Sequence, residues 1–278
     1  MTTLARRPGP TVRARVTEHT PEGSRGRPDK LATEEPLEIR ATAPGVPPHR
    51  IWVTMRTPGN DFDLAAGFCV HEGMTPRAGI DRVAYCTDTD LAPEQEFNVV
   101  TVTLADATGL AAGSRTRHEA QSLGSSACGV CGKDSVEAVL DVPHGPVRQH
   151  ADPDPALVRE LPSLLREQQS LFGRTGGVHG AGLADADGRM LVVREDVGRH
   201  NAVDKVTGAR VLAGESPAAP YLVVSGRAGF ELVQKAVTAG VGCMVAVGAP
   251  SSLAVSLAEE AGLSLFGFTG PDRCVQYS

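Results

Sequence analysis

Met190-Leu191-Val192-Val193-Arg194-Glu195-Asp196-Val197-Gly198-Arg199-His200-Asn201-Ala202 decides the fold class, because it opens the part of the chain where apolar runs alternate with helix-period patterns. Met190 to Val193 reads as a buried strand. Arg199 to Leu212 reads as a helix, with Ala202, Val206, Ala209 and Ala213 as its apolar stripe and His200 and Asp204, four apart, on the opposite face. That opposite face is either a solvated ion pair or a polar surface turned to a ligand or another domain. Downstream, Tyr221–Val224, Cys243–Val247 and Leu263–Phe268 read as strands, separated by helices over Phe230–Ala239 and Ser251–Ala261. Strands alternating with helices predict an α/β fold with parallel pairing through right-handed crossovers. Ligands of such sheets meet the loops at the strands' carboxyl ends. Here those loops are Glu195-Asp196-Val197-Gly198, Ser225-Gly226-Arg227 and Gly248-Ala249-Pro250-Ser251-Ser252.

Upstream, leucines 157, 161, 164, 165 and 171 mark a helical segment that Pro162 kinks or restarts. Gly176-Gly177-Val178-His179-Gly180 only loosely resembles a phosphate-cradling loop, since strand-like residues follow it instead of a helix. Towards the N-terminus, Ile51, Val53 and Met55 alternate with Trp52, Thr54 and Arg56, which suits a strand with one buried face. The turn Thr57-Pro58-Gly59-Asn60 follows, and Asn60 or Asp61 caps a helix reaching Gly73. Strand-like runs over Arg82–Cys86 and Phe97–Leu104 complete a small α+β unit. The expected organisation is a disordered tail over 1–35, rich in Arg, Pro, Thr and Glu, then the small α+β domain over 36–110. A linker over 111–150 leads to the α/β domain over 151–278.

The chain has 278 residues, 41% of them hydrophobic, and a formal charge of −6, which argues against a general nucleic-acid binder. No apolar run is long enough to cross a bilayer and no secretory signal opens the chain, so the expected location is the cytoplasm. Six cysteines are too sparse for a disulfide scaffold. Cys69, Cys86, Cys243 and Cys274 sit among apolar neighbours and read as small buried residues.

The remaining two lie in Ser125-Ser126-Ala127-Cys128-Gly129-Val130-Cys131-Gly132-Lys133, within the linker. Glycines leave the thiols accessible, and backbone N–H groups with Lys133 favour the nucleophilic thiolate. Three chemistries fit a CxxC pair: half a zinc site, a thioredoxin-like redox pair, or a cysteine that carries sulfur. Zinc lacks a second CxxC, although His118, His144, His150 or His179 would complete a ligand set. A zinc deaminase needs His-x-Glu ahead of Pro-Cys-x-x-Cys; here Ala127 precedes Cys128 and no His-x-Glu occurs. A loop between two domains suits handing an atom from one protein to another site.

Four segments together resemble the formate dehydrogenase accessory sulfurtransferase family FdhD: Ser125–Lys133, the run from Val193 to Lys205, Val224-Ser225-Gly226-Arg227, and Ala249-Pro250-Ser251-Ser252-Leu253-Ala254. The resemblance spans roughly Glu38 to the C-terminus. It implies a cytidine-deaminase-like C-terminal domain without zinc, a homodimer, and a sulfur carrier. Such a carrier takes persulfide sulfur from a cysteine desulfurase and passes it to the molybdenum cofactor, in its bis-molybdopterin guanine dinucleotide form, for formate dehydrogenase. Carried over by residue, Cys128 bears the persulfide and Cys131 assists. The cofactor-binding segment becomes Phe268-Thr269-Gly270-Pro271-Asp272-Arg273, with Ser225 and Arg227 beside it. Arg199, Arg227, Lys235 and Arg273 are the basic groups expected to neutralise the cofactor's phosphates. A dithiol redox protein and a non-catalytic cofactor chaperone are the competing readings.

Overall fold

Backbone hydrogen bonding divides the described residues of the computed structural model, 7–75, 79–86, 97–110 and 152–278, among three sheets. The first is an antiparallel hairpin of β1 (Thr11–Thr20) and β2 (Gly23–Ala32). Here the structure differs from the tail expected over 1–35. Glu18 lies opposite Arg25 and accepts hydrogen bonds from both Arg25 and Arg27, at 2.7 and 3.0 Å. Cross-strand charge pairing contributes where burial does little, and a search for apolar periodicity misses such a signal.

The second sheet has the order β4-β3-β6-β5 and comprises β3 (Glu35–Ala43), β4 (Val46–Arg56), β5 (Ile80–Tyr85) and β6 (Val99–Leu104). Leu37, Ile39 and Ala41 alternate inward from β3 and meet Leu64, Ala65, Phe68 and Cys69 of α1 (Asp61–His71). The start of α1 is not capped by a side chain: Asn60 adopts a left-handed φ of 55° and offers only its carbonyl, to Leu64 N. Asp61 turns instead to the buried Arg56, 3.1 Å away.

The third sheet receives α2 (Pro155–Glu167), α3 (Ser170–Thr175), β7 (His179–Ala184), β8 (Met190–Asp196), α4 (Arg199–Leu212), β9 (Tyr221–Val224), α5 (Phe230–Ala239), β10 (Cys243–Ala246), α6 (Ser252–Ala261), β11 (Ser264–Gly270) and β12 (Arg273–Gln276). Its order is β12-β11-β10-β9-β7-β8. Parallel pairing, expected throughout, holds only for β9-β10-β11; β7 is antiparallel to both its neighbours and β12 runs antiparallel to β11. The turns after Ala184 and Gly270 are far too short for a crossover, and so force hairpins. Met190–Val193, expected to be buried, is half-buried because β8 is an edge strand. Pro162 neither breaks nor restarts its helix: α2 runs unbroken across it, capped by Asp154, whose carboxylate accepts from Ala156 N at 2.8 Å.

The two-residue repeat of the central strands feeds two cores. Leu222, Val224, Met244, Ala246 and Leu265 face α4, α5 and α6, while Tyr221, Val223, Cys243, Val245 and Phe266 face Val158, Leu161 and Leu165 of α2. The second and third sheets meet where α1 crosses α4. A Cβ on Gly67 would overlap the Asp204 carbonyl, and one on Gly208 would overlap the Asp63 carbonyl, so the two helices touch backbone to backbone.

Candidate functional site

A pocket of about 730 Å³ opens at the carboxyl edge of the third sheet. Ser225 follows β9, Val247 follows β10, Val197 follows β8, and Thr269, Gly270 and Pro271 end β11; α2 and α3 wall the opposite side through Leu165, Gln169 and Phe172. Gly176, Gly177, Val178 and His179 complete the lining. That loop leads into β7 and opens no helix. Burial, then the nearby Arg199 and His200 charges, hold the His179 imidazole below its ordinary pKa, leaving it neutral near pH 7. It can therefore accept or pass a proton. The Ser225 hydroxyl oxygen accepts from Gly180 N at 2.9 Å and keeps its own proton for another partner. Gln169 and Thr269 are 5% and 3% exposed, yet among the described residues neither Gln169 Nε2 nor Thr269 Oγ1 has a hydrogen-bond partner.

Apart from Val197, which lines the pocket, and Arg199 and His200, whose charges reach His179, the run from Arg194 to Lys205 turns to the seam between the second and third sheets. Asp196, fully buried, sits 2.7 Å from Lys205 Nζ and accepts from Thr57 N, Gly198 N and Asn201 Nδ2. Lys205 also donates to the Thr57 carbonyl, and Asn201 Nδ2 to that of Met55. Arg194 pairs with Asp63 of α1 at 2.8 Å. Glu195 accepts from the Leu171 and Phe172 amides, fixing the start of α3. His200 does not face solvent but pairs with Glu231 at 2.8 Å.

Asp204 joins this seam. His71 Nδ1 lies 2.5 Å from its carboxylate and Lys235 Nζ 2.6 Å. Burial pushes Asp204 up, but the Lys235 charge and His71 outweigh it and hold its pKa below the usual carboxylate value. Burial and Lys235 lower His71, so it is neutral: Nδ1–H donates to Asp204, and Nε2 accepts from the Thr207 hydroxyl at 3.1 Å. Lys235, expected among the phosphate-neutralising groups, is thus taken up by Asp204.

Of the expected cofactor-binding residues, Ser225, Thr269, Gly270 and Pro271 line the pocket. Phe268, Asp272, Arg273 and Arg227 are exposed outside its lining, with the Arg273 guanidinium 5.2 Å from the Phe268 ring centre. Cys128 and Cys131 lie outside the described residues, as do Lys133, His118, His144 and His150. Cys69 and Cys243 are buried, whereas Cys86 and Cys274, expected to be buried too, are only half-buried because each lies at or beside the end of a peripheral strand. Burial raises the Cys243 thiol far above its ordinary pKa, which suits packing and not nucleophilic attack. Among the described residues no cluster of His, Cys, Asp and Glu is placed to hold a metal, and no helix is long and apolar enough to cross a membrane. Gln169 escaped the sequence reading because it sits at a break between two helices, where no periodicity marks its side chain.

Comparison with known proteins is consistent with this architecture. A solved crystal structure from Desulfotalea psychrophila, of a protein provisionally described as a formate dehydrogenase accessory protein, superimposes with a TM-score of 0.72 at 23% identity. The match covers 96% of each chain and shows the fold. Sulfur carrier protein FdhD of Nocardia farcinica is 47% identical over 271 residues, covering 96% of this chain and 93% of that protein. The Mycobacterium tuberculosis protein of the same name is 45% identical over 262 residues, with 91% of each covered. The FdhD/NarQ family model matches residues 32–278, and the chain belongs to that family.

Proposed function

We propose that this chain is a sulfur carrier in formate dehydrogenase maturation. The observation that carries the reading is the match of nearly the whole chain to proteins named sulfur carriers. The Cys128 thiolate attacks the terminal sulfur of a cysteine desulfurase persulfide. The sulfur–sulfur bond of the donor breaks, the donor cysteine leaves as thiolate, and Cys128 holds the sulfur as its own persulfide. Cys131, three positions along the chain, is the assisting thiol. The acceptor is the molybdenum cofactor in its bis-molybdopterin guanine dinucleotide form, destined for formate dehydrogenase.

The pocket supports the acceptor's placement. At about 730 Å³ it lies within the roughly 300–1,000 Å³ usual for ligand sites, room for one nucleotide arm. Its buried, unpartnered Gln169 and Thr269 atoms ask for a polar guest. Ser225 and the 269–271 segment hold that arm, while Arg227 and Arg273 at the rim meet phosphate. The mixed order β8-β7-β9-β10-β11 supports a cytidine-deaminase-like reading of the third sheet. In this reading the protein works in the cytoplasm as a homodimer.

Intact mass after incubation with a desulfurase and cysteine tests the proposal. A gain of about 32 Da that reduction removes, absent in Cys128→Ala, is the expected result. A loss of about 2 Da would instead indicate a dithiol switch, and no change beside tight cofactor binding a chaperone. Cys128→Ala should retain its fold and fail to activate formate dehydrogenase.

A further inference from the structure

We propose that one face of the β1–β2 hairpin is a docking surface for an acidic surface segment of the apoenzyme that collects the cofactor, formate dehydrogenase. The inference rests on the reading of the chain as a carrier serving that enzyme. What carries it is the way the hairpin sorts its charges. Residues directly opposite in an antiparallel pair share a face. One face therefore holds Glu18 and Asp29, the only acids within the two strands, and Arg25 and Arg27 take up both there at 2.6 to 3.1 Å. The other face holds Arg13, Arg15 and Lys30, all exposed, with no acid of either strand beside them and with Arg13 directly opposite Lys30. Like charges so placed work against the pairing, and a two-stranded ribbon is only marginally stable by itself. An acidic partner turns that repulsion into attraction.

Position names the partner. Ala32 ends the same face as Lys30, and its methyl lies 3.7 Å from where a Cβ on Gly177 would stand; Gly176 and Gly177 line the pocket at the carboxyl edge of the third sheet. From that rim the strands run for about 30 Å, at roughly 3.3 Å per residue. A protein seated on the cationic face thus lies beside the place where the cofactor arm is held, and a protein that takes the cofactor away must come there. Charge distribution narrows the class further. Residues 1–32 hold seven of the chain's 27 Lys and Arg but only three of its 33 Asp and Glu, so the rest of the chain is strongly acidic. Charges act over about 10 Å at 0.1 M salt. Nucleic acid or an anionic bilayer extends further than that and meets repulsion from the acidic body, whereas an acidic patch of protein fits the ribbon alone. The hairpin also precedes the matched family span of 32–278, which suits a device for choosing a partner and not one for the sulfur step.

The test measures binding of purified formate dehydrogenase apoenzyme to the full-length protein by biolayer interferometry at about 50 mM and about 500 mM salt. The wild type should bind more tightly at low salt. Arg13→Thr, Arg15→Thr and Lys30→Thr together should weaken low-salt binding about tenfold and remove most of the salt dependence. The charge-keeping set Arg13→Lys, Arg15→Lys and Lys30→Arg should bind as the wild type does. The threonine variant should melt no lower than wild type, because it relieves a like-charge opposition with a residue that favours strands. It should also take up sulfur from the desulfurase at the wild-type rate while activating the enzyme more slowly. Wild-type apoenzyme affinity in the threonine variant, or no apoenzyme binding by the wild type, would overturn the inference. Slower sulfur uptake with unchanged apoenzyme binding would give the face to the donor instead. Self-association, or binding to phosphatidylserine vesicles, that the threonine variant loses while apoenzyme binding stays intact would give it to a second copy or a membrane. Each of these outcomes contradicts the proposal. If the wild type gains no sulfur from the desulfurase, the sulfur-carrier reading falls, and the apoenzyme titration still decides the docking face.

Discussion

The seam between α1 and α4 and the pocket at the carboxyl edge of the third sheet both bury polar groups, but they treat them oppositely. At the seam most buried charge is answered within the protein, Arg199 Nε being an atom of the Arg194 to Lys205 run without a partner among the described residues: Asp196 collects Lys205, Asn201 and two backbone amides, and Asp204 is shared by His71 and Lys235. A smaller cavity of about 440 Å³ beside the seam follows the same pattern. Its Lys205, Arg194 and Glu195 are each bound within the protein. At the larger pocket, Gln169 and Thr269 are left waiting. A saturated buried network specifies a structure, whereas an unsaturated one specifies a guest.

The largest expected break in this contrast comes from Lys205→Met. It strands the Asp196 carboxylate inside the protein and should cost about 3–5 kcal/mol in urea unfolding, the usual effect of halving a buried ion pair. Gly67→Ala comes next. The new methyl meets the Asp204 backbone carbonyl, which cannot swing away, so the helices must part at about 1–3 kcal/mol, read in the same assay.

Acidification gives a smaller effect. The folded His71 has a lowered pKa, so the unfolded chain binds its proton more readily, and stability must fall as pH drops below about 6.5. Asp204, also lowered, acts in the same direction but only at pH values below the ordinary carboxylate range. Comparing unfolding midpoints at pH 7.5 and 5.5 should show the loss, and His71→Gln should flatten it. Smallest is the exposed Arg189–Asp185 pair, where Arg189→Ala should change stability by no more than about 0.5 kcal/mol.

The sequence made the β9-α5-β10-α6-β11 portion legible because its apolar runs are short, buried on both faces and separated by helix-period stretches. It hid the hairpin over 11–32, whose pairing is carried by charge, and β12, which is four half-exposed residues after a tight turn. Ser225 was visible from the rule that ligands gather at strand ends. The run from Arg194 to Lys205 drew attention as chemistry because it is dense in charge. Most of its charge serves the seam, where Asp196 pairs with Lys205 and Arg194 with Asp63 of α1. Gln169 was invisible for the converse reason: its meaning depends on which strand its amide reaches across space.

Hydrogen–deuterium exchange of the full-length protein with and without saturating GDP tests the contrast most directly. Added protection is expected at residues 163–180, 225, 247 and 269–270, with none across α1 and α4. Protection appearing at the seam while the pocket exchanges unchanged would contradict it.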